Sequence, residues 1–321
     1  MNKITPQEAA ALLRQKDGIL ILTHRRPDGD TTGCAAGLCR ALRQLGKTAF
    51  LLKNPDITSI NAVYVEDLWA PENFSPAFVV SVDIASRSLF FPAAEPYFDR
   101  IGLAVDHHPS FEGFGEVQCV DASCAACGEI VYEICRSLGD ITPEIALPLY
   151  AAIATDTGCF VYANTEANTH RVAAALLETG IDYFAVNKRH FRTKTRRRIA
   201  IEAELMGGAE FFHQDRGVFL TIPLSLLERT GAGENDLEDI SSLAGIIEGV
   251  DCGAVLRELK PGQWKLSLRT GANGRVNATD ACRLLGGGGH AMAAGATVSG
   301  TLEQVKERVL AAVDAVKRQD A

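Results

Sequence analysis

Three short apolar runs in the first third of the chain, GILILT, AFVVSV and IGLAV, lack any alternation of apolar and polar residues. A strand with one wet face alternates; a strand covered on both faces does not. The runs therefore predict buried strands of a parallel sheet. Helical spacing over 31–45, 127–138, 144–155 and 166–179 supplies the covering layers, with Gly46, Gly139 and Gly180 closing helices. Strands alternating with helices predict a doubly wound α/β domain.

Each of these runs leads into a segment rich in Asp and His. HRRPDGD carries His24, Asp28 and Asp30, VDIAS carries Asp83, and VDHHPS carries Asp106, His107 and His108. A fourth segment, ATDTGCF, adds Asp156. Parallel sheets collect functional groups at the carboxyl ends of their strands, so these residues are expected at one edge. Carboxylates suit hard divalent cations, and added imidazoles shift the preference toward manganese or a neighbouring transition ion. His24, Asp28, Asp30, Asp83, His107 and Asp156 make six candidate ligands, four of them carboxylates. That inventory suits a pair of metals roughly 3.5–4 Å apart acting on a phosphoryl group. Singly, each residue has a plainer explanation: Asp28 and Asp30 as turn or N-cap residues, Asp83 in a loop, Asp156 at a helix end. Their coincidence at strand ends favours the metal site.

With 321 residues, 47% of them hydrophobic and 22% charged, the chain can build two domains with ordinary cores. Its longest apolar runs fall short of the ~18 residues of a membrane span. No signal or anchor pattern opens it, and the expected location is cytoplasmic. The nine cysteines are odd in number and scattered, which suits reduced thiols. Cys119, Cys124 and Cys127 have a C-x4-C-x2-C spacing, but no fourth ligand has fitting context, so packing explains them better. A formal charge of −8 argues against long duplex nucleic acid, whose binding needs many Lys and Arg contacts. A short phosphate compound in a local basic pocket is compatible with it.

Past the first domain, KRHFRTKTRRR at 188–198 holds seven Lys and Arg and no acid. Its plainer reading is a solvated helix face; the other is a set of cations attracting phosphates. The expected division is a metal-binding domain at 1–187, a helical linker at 188–210, and a smaller mixed α/β domain at 211–321. Strand-like RGVFLTIP, CGAVLREL and QWKLSLRT, with helices expected at 237–247 and 302–317, make up the last. Gly286 to Gly289 before His290 would let backbone N–H groups approach an anion. His170, His190 and His213 read as structural or exposed.

HRRPDGD, Asp83, DHHPS and Asp156-Thr157-Gly158 together resemble the motifs of the DHH phosphoesterase superfamily. SLRT and GGGGHAMAAG resemble its DHH-associated domain. Order and spacing look most like the branch of oligoribonucleases and pAp phosphatases, over roughly residues 18–295. The resemblance implies one metal on His24, Asp28 and Asp83 and a second on Asp30, Asp83, His107 and Asp156, with Asp83 bridging. It implies a catalytic set of Asp83, His108 near the scissile phosphate, and Asp106 orienting a ligand. Manganese, in two ions with magnesium as a substitute, is the implied cofactor. Substrate binding is assigned to His108, Arg269, Gly287, Gly288, Gly289 and His290, with Asn277 a lesser candidate. Where relatives commonly have proline after GGGGH, this chain has Ala291, which bears on the shape of that loop. The implied reaction hydrolyses short oligoribonucleotides to mononucleotides and pAp (3′-phosphoadenosine 5′-phosphate) to AMP, with the second domain holding substrate across a cleft. A homodimer is the assembly considered, and no membrane partner is expected. A phosphodiesterase for cyclic dinucleotides or linear pApA shares every ligand and stands as the alternative. A non-catalytic nucleic-acid scaffold is disfavoured because all acidic ligands are present.

Overall fold

The computed structural model describes residues 2–237, 239–271 and 275–317. Two compact units divide the chain, Met1–Thr193 and Lys194–Ala321.

The first unit begins with β1 (Asn2–Lys3), α1 (Pro6–Arg14), β2 (Ile19–Leu22), α2 (Gly29–Gln44), β3 (Ala49–Leu51) and α3 (Ser59–Ala62). It continues through β4 (Phe78–Val82), β5 (Ile101–Asp106), β6 (Val117–Val120), α4 (Cys127–Leu138), α5 (Pro143–Asp156), α6 (Ala167–Glu178) and α7 (Tyr183–Asn187). Six strands pair in the order β1-β6-β5-β4-β2-β3, all parallel. The three unalternating runs are β2, β4 and β5, in the middle of that sheet.

Alternation reappears as a choice between two apolar layers. Ile19, Ile21, Val80, Val82, Leu103 and Val105 pack with α1, α2, α4 and α5. Leu20, Leu22, Val79, Ile101 and Ala104 face a second cluster containing Phe90, Phe91 and Phe114. That second layer departs from the doubly wound expectation: the chain between β4 and β6 offers 3₁₀ turns at Arg87–Leu89 and Glu95–Arg100, and phenylalanine rings do the covering. Aromatic side chains bury enough area for a few of them to replace a helix.

Strand order reverses between β2 and β4, because β2 continues to β3 on one side while β4, β5 and β6 follow on the other. Crevices of open α/β sheets form at such a switch, outside the carboxyl ends. Here the flanking loops are those starting at Thr23 and Asp83.

The second unit contains α8 (Arg196–Gly207), β7 (Glu210–Phe212), β8 (Gly217–Ile222), α9 (Leu224–Thr230), β9 (Cys252–Lys260) and β10 (Gln263–Thr270). It ends with α10 (Ala278–Leu284), β11 (Gly288–His290), β12 (Ala293–Ser299) and α11 (Leu302–Val316). Its sheet runs β11-β12-β10-β9-β8-β7 and is mixed: β8 and β9 are parallel, the other pairs antiparallel. In β10, Trp264, Leu266 and Leu268 are buried while Lys265, Ser267 and Arg269 stay half-buried, a two-residue period. The helix expected at 237–247 is instead a 3₁₀ segment, Ile240–Gly245. Asp239, at φ 50°, breaks any longer helix there. The basic segment forms a π-helical turn, Lys188–Arg192, and then the start of α8. Lys194 and Arg198 both pair with Glu202, each at 2.6 Å.

Candidate metal centre

Asp28 caps a helix and also faces a histidine. As N-cap of α2, its Oδ1 accepts from the N–H groups of Asp30 (3.0 Å) and Thr31 (3.2 Å). The same oxygen lies 3.6 Å from His24 Nε2, and His24 Nε2 is 3.7 Å from Asp83 Oδ2. Asp83 follows β4 directly and holds φ 57°, a left-handed conformation that Asp tolerates better than most residues. His107 Nε2 stands 3.6 Å from Asp83 Oδ1, 3.8 Å from Asp30 Oδ2 and 3.5 Å from Asp156 Oδ2. Two sets of donor atoms, His24–Asp28–Asp83 and Asp30–His107–Asp156, each lie within 4.8 Å of one another. A third combines Asp83 and His107 with His108, the residue expected near the scissile phosphate.

Close helix packing brings the first and last motifs together. Gly29, Gly33 and Gly37 line the face of α2 that meets α5. A Cβ on Gly33 would strike the carbonyl of Pro148 and come within 2.8 Å of Ala152 Cβ; one on Gly37 would reach 2.7 Å from Leu149. Without those side chains the start of α2, bearing Asp28 and Asp30, reaches the end of α5, bearing Asp156.

Asp30 is also gripped by α4. Its Oδ2 accepts from Cys127 N–H at 2.7 Å and its Oδ1 from Gly128 N–H at 2.9 Å, with Cys34 Sγ at 3.3 Å. Helix N-termini favour negative charge. Cys127 thus matters through its backbone. It and the other eight cysteines are free thiols.

His108 is held by Asp106, whose Oδ1 accepts from the His108 backbone N–H at 2.6 Å and lies 2.8 Å from Nδ1. Burial lowers the pKa of His108, but the Asp106 carboxylate outweighs it and raises the imidazole above its ordinary value. His24 is raised likewise, burial being overcome by Asp28.

Three of the four carboxyls in these sets are held above the ordinary carboxylate range. Burial, then the Asp28 charge, pushes Asp30 up to about 7 despite its three donors. Burial and the Asp30 charge push Asp156 to about 7, His107 opposing. Asp83 is driven well above the carboxylate range by burial and by Asp30 and Asp28. Asp28 differs: loss of hydration opposes its ionisation, but His24 and the Thr31 N–H bring it to about 2. Among the described residues, Asp83 Oδ1 and Asp106 Oδ2 are buried without a hydrogen-bond partner, and no Lys or Arg pairs with the cluster. Converging buried carboxylates with orphaned oxygens and no organic cation form a donor set that fits divalent metal ions.

In the second unit, Arg269 Nη2 donates to Ser241 Oγ at 2.7 Å. Asn277 caps α10, accepting from Thr279 and Asp280 N–H. The glycine run has a packing reason of its own: Gly288–His290 pairs antiparallel with Ala293–Gly295. A Cβ on Gly289 would come within 2.6 Å of the Ala293 carbonyl oxygen. His290 is exposed on that edge strand. Elsewhere His190 Nε2 meets Tyr64 Oη at 2.9 Å, His213 pairs with Asp314 at 3.0 Å, and His170 stacks on Phe160.

The N-terminal domain of the DHH family matches residues 18–153, and the DHHA1 domain matches residues 226–319. The chain is 36% identical over 312 residues to the bifunctional oligoribonuclease and PAP phosphatase NrnA of Thermus thermophilus, spanning 95% of this chain and 92% of that protein. It is 24% identical to the protein of the same name from Bacillus subtilis, over 88% and 90% of the two chains. An exopolyphosphatase-related protein from Bacteroides fragilis superposes with a TM-score of 0.86 at 20% identity, covering 97% of this chain and 95% of that one, which shows a common fold. The family is metal-dependent, in keeping with the donor set. The chain therefore belongs to the DHH phosphoesterase family, with a DHH domain followed by a DHHA1 domain, and is a hydrolase.

Proposed function

We propose that this phosphoesterase hydrolyses short oligoribonucleotides to mononucleotides and pAp to AMP. The observation that carries the reading is the pair of donor sets, His24–Asp28–Asp83 and Asp30–His107–Asp156, within a chain 36% identical to an oligoribonuclease and PAP phosphatase. Asp83 would serve as the bridging ligand between two ions. Bound there, manganese, with magnesium as a substitute, supplies Lewis-acid polarisation of phosphoryl oxygens and lowers the pKa of water.

The chain's own groups have distinct work. Asp106 fixes the ring of His108 and favours its protonated form, so that His108 can donate to an oxygen of the scissile phosphate. Asp106 is thereby a positioning residue. The N–H groups of Cys127 and Gly128 hold Asp30 in its orientation before any ligand arrives. In the DHHA1 domain, Arg269 and His290 would grip phosphate or nucleotide, and Gly287, Gly288 and Gly289 allow close approach of the backbone. We assign the metal-binding domain to 1–187, the helical linker to 188–210 and the substrate-binding domain to 211–321.

A net charge of −8 provides no long basic track. Turnover should peak on RNA of roughly two to five nucleotides, with weak salt-sensitive affinity for long strands. The test compares pAp, a dinucleotide and a 24-mer at equal concentration and saturating manganese. Faster, processive digestion of the 24-mer would overturn the reading in favour of a general exonuclease.

A further inference from the structure

The loop after Asp156 has an unusual construction. Gly158, Cys159 and Phe160 hold φ of 56°, 58° and 67°, three left-handed residues in succession, two of them not glycine. L residues avoid this region, and an aromatic one is a clear outlier. Thr157, fully buried, enforces it. Its Oγ1 donates to the Ile153 carbonyl at 2.6 Å and accepts from Phe160 N–H at 3.1 Å. Its carbonyl accepts from both Val161 and Tyr162 N–H at 3.0 Å. Asn164 ties the loop to the metal centre by donating to the carbonyls of Asp156 (3.1 Å) and Ala125 (3.0 Å).

Core packing explains only part of this arrangement. Phe160 packs against the buried Tyr150, with ring centroids 6.2 Å apart, and its ring also stacks on the exposed His170 at 5.3 Å. Val161 is 80% exposed and Tyr162 43% exposed. The Tyr162 ring lies over Gly158, where an added Cβ would sit 2.5 Å from Cζ, so any larger residue at 158 would displace it. Exposed tyrosines are ordinary. This one is set by three left-handed residues, a glycine beneath its ring and a fully buried threonine. All of them lie within six residues of Asp156, a member of one of the donor sets.

We propose that Tyr162 is a specificity-determining residue that stacks on a nucleobase of the substrate while its phosphate lies at the metal centre. The inference rests on the nucleotide-phosphoesterase reading above and deepens it. Stacking recognises the π-face common to all bases, so it would select nucleotides over other phosphate esters without selecting a sequence. Tyrosine suits the task because its ring is rigid and loses little conformational freedom on contact.

The test uses the whole manganese-loaded chain and two substrates: pAp, and the base-free 3,5-bisphosphate of its sugar. The readout is the ratio of kcat/KM for pAp to kcat/KM for the base-free compound. Tyr162→Ala and Tyr162→Leu should each lower that ratio roughly 5- to 150-fold, and Tyr162→Phe should keep it within about twofold. Thermal midpoints establish that all three variants fold. A ratio unchanged in Ala and Leu overturns the proposal, as does an equal loss on both substrates, which would make the ring a structural prop. Wild-type protein inactive on both compounds would instead sink the nucleotide reading itself, and the stacking role with it.

Discussion

At the carboxyl ends of β2, β4 and β5, the first unit collects carboxylates that repel one another. On β10 of the second unit, Arg269 is tied to Ser241 by a 2.7 Å hydrogen bond. The first arrangement leaves Asp83 Oδ1 and Asp106 Oδ2 without partners and lifts Asp30 and Asp156 to about 7. Around the second sheet, Lys306 meets Glu210 at 2.7 Å and Arg216 meets Asp251 with its Nε at 2.7 Å. Charge left uncompensated inside a fold is costly and persists where something else completes it. On the proposed reading chemistry belongs to the first unit and the holding of substrate to the second, and variants on either side should therefore behave differently.

Asp83→Ala should have the largest effect. If Asp83 is the ligand common to two ions, as proposed, its loss removes several kcal/mol of transition-state stabilisation, on the order of a thousandfold in turnover. Metal content measured on the purified variant should fall as well. Its metal-free thermal midpoint should equal or exceed that of metal-free wild type, because a repelling carboxylate has gone. Full activity in Asp83→Ala would end the two-metal assignment.

Arg269→Ala and His290→Ala probe the second unit. Each should raise KM for pAp roughly 10- to 100-fold, the worth of a charge-assisted contact, with bound manganese unchanged. Loss of metal from either variant would mean that the second unit contributes to the metal centre.

Gly33→Ala tests the packing that joins the motifs. Its Cβ would meet backbone at Pro148, so α2 and α5 must separate, costing about 1–3 kcal/mol. Manganese affinity should weaken along with stability, since Asp28 and Asp30 move away from Asp156. Denaturant unfolding and metal titration of the same sample would reveal a variant that loses stability alone.

A smaller, pH-dependent effect follows from the raised pKa values. In the folded, metal-free protein Asp30, Asp83 and Asp156 retain protons that the unfolded chain has already released, and His24 and His108 do so above their ordinary value. The folded state then binds more protons, so stability falls as pH rises. His190, lowered to about 4 mainly by burial, acts in the opposite sense but only between about 4 and 6.5. Between pH 6.5 and 8 the metal-free thermal midpoint should therefore decline, and manganese should flatten the slope by displacing protons. A rising metal-free midpoint over that interval would contradict the carboxylate repulsion.

Much of this was legible in the residues. Unalternating runs located β2, β4 and β5, and the acids and histidines after them do converge. Contacts made by backbone were hidden. The N–H groups that hold Asp30 belong to Cys127 and Gly128 because α4 begins there, and backbone donors leave no residue-type signature beyond excluding proline. The stripe of Gly29, Gly33 and Gly37 is written in the sequence, but nothing local names α5 as its partner. Residues 237–247 have helical spacing, but Asp239 adopts a left-handed conformation that Asp tolerates, and periodicity alone does not reveal such a break. The run at 286–289 spoke for anion approach and concealed its need for close strand pairing.

The most direct test is a manganese titration of chelator-stripped enzyme, following pAp hydrolysis and bound metal in the same samples. A two-metal centre should give no hydrolysis without metal and recovery that saturates as two ions bind per chain. Hydrolysis that persists at full rate in excess chelator, or recovery complete with no stoichiometric binding, would contradict it.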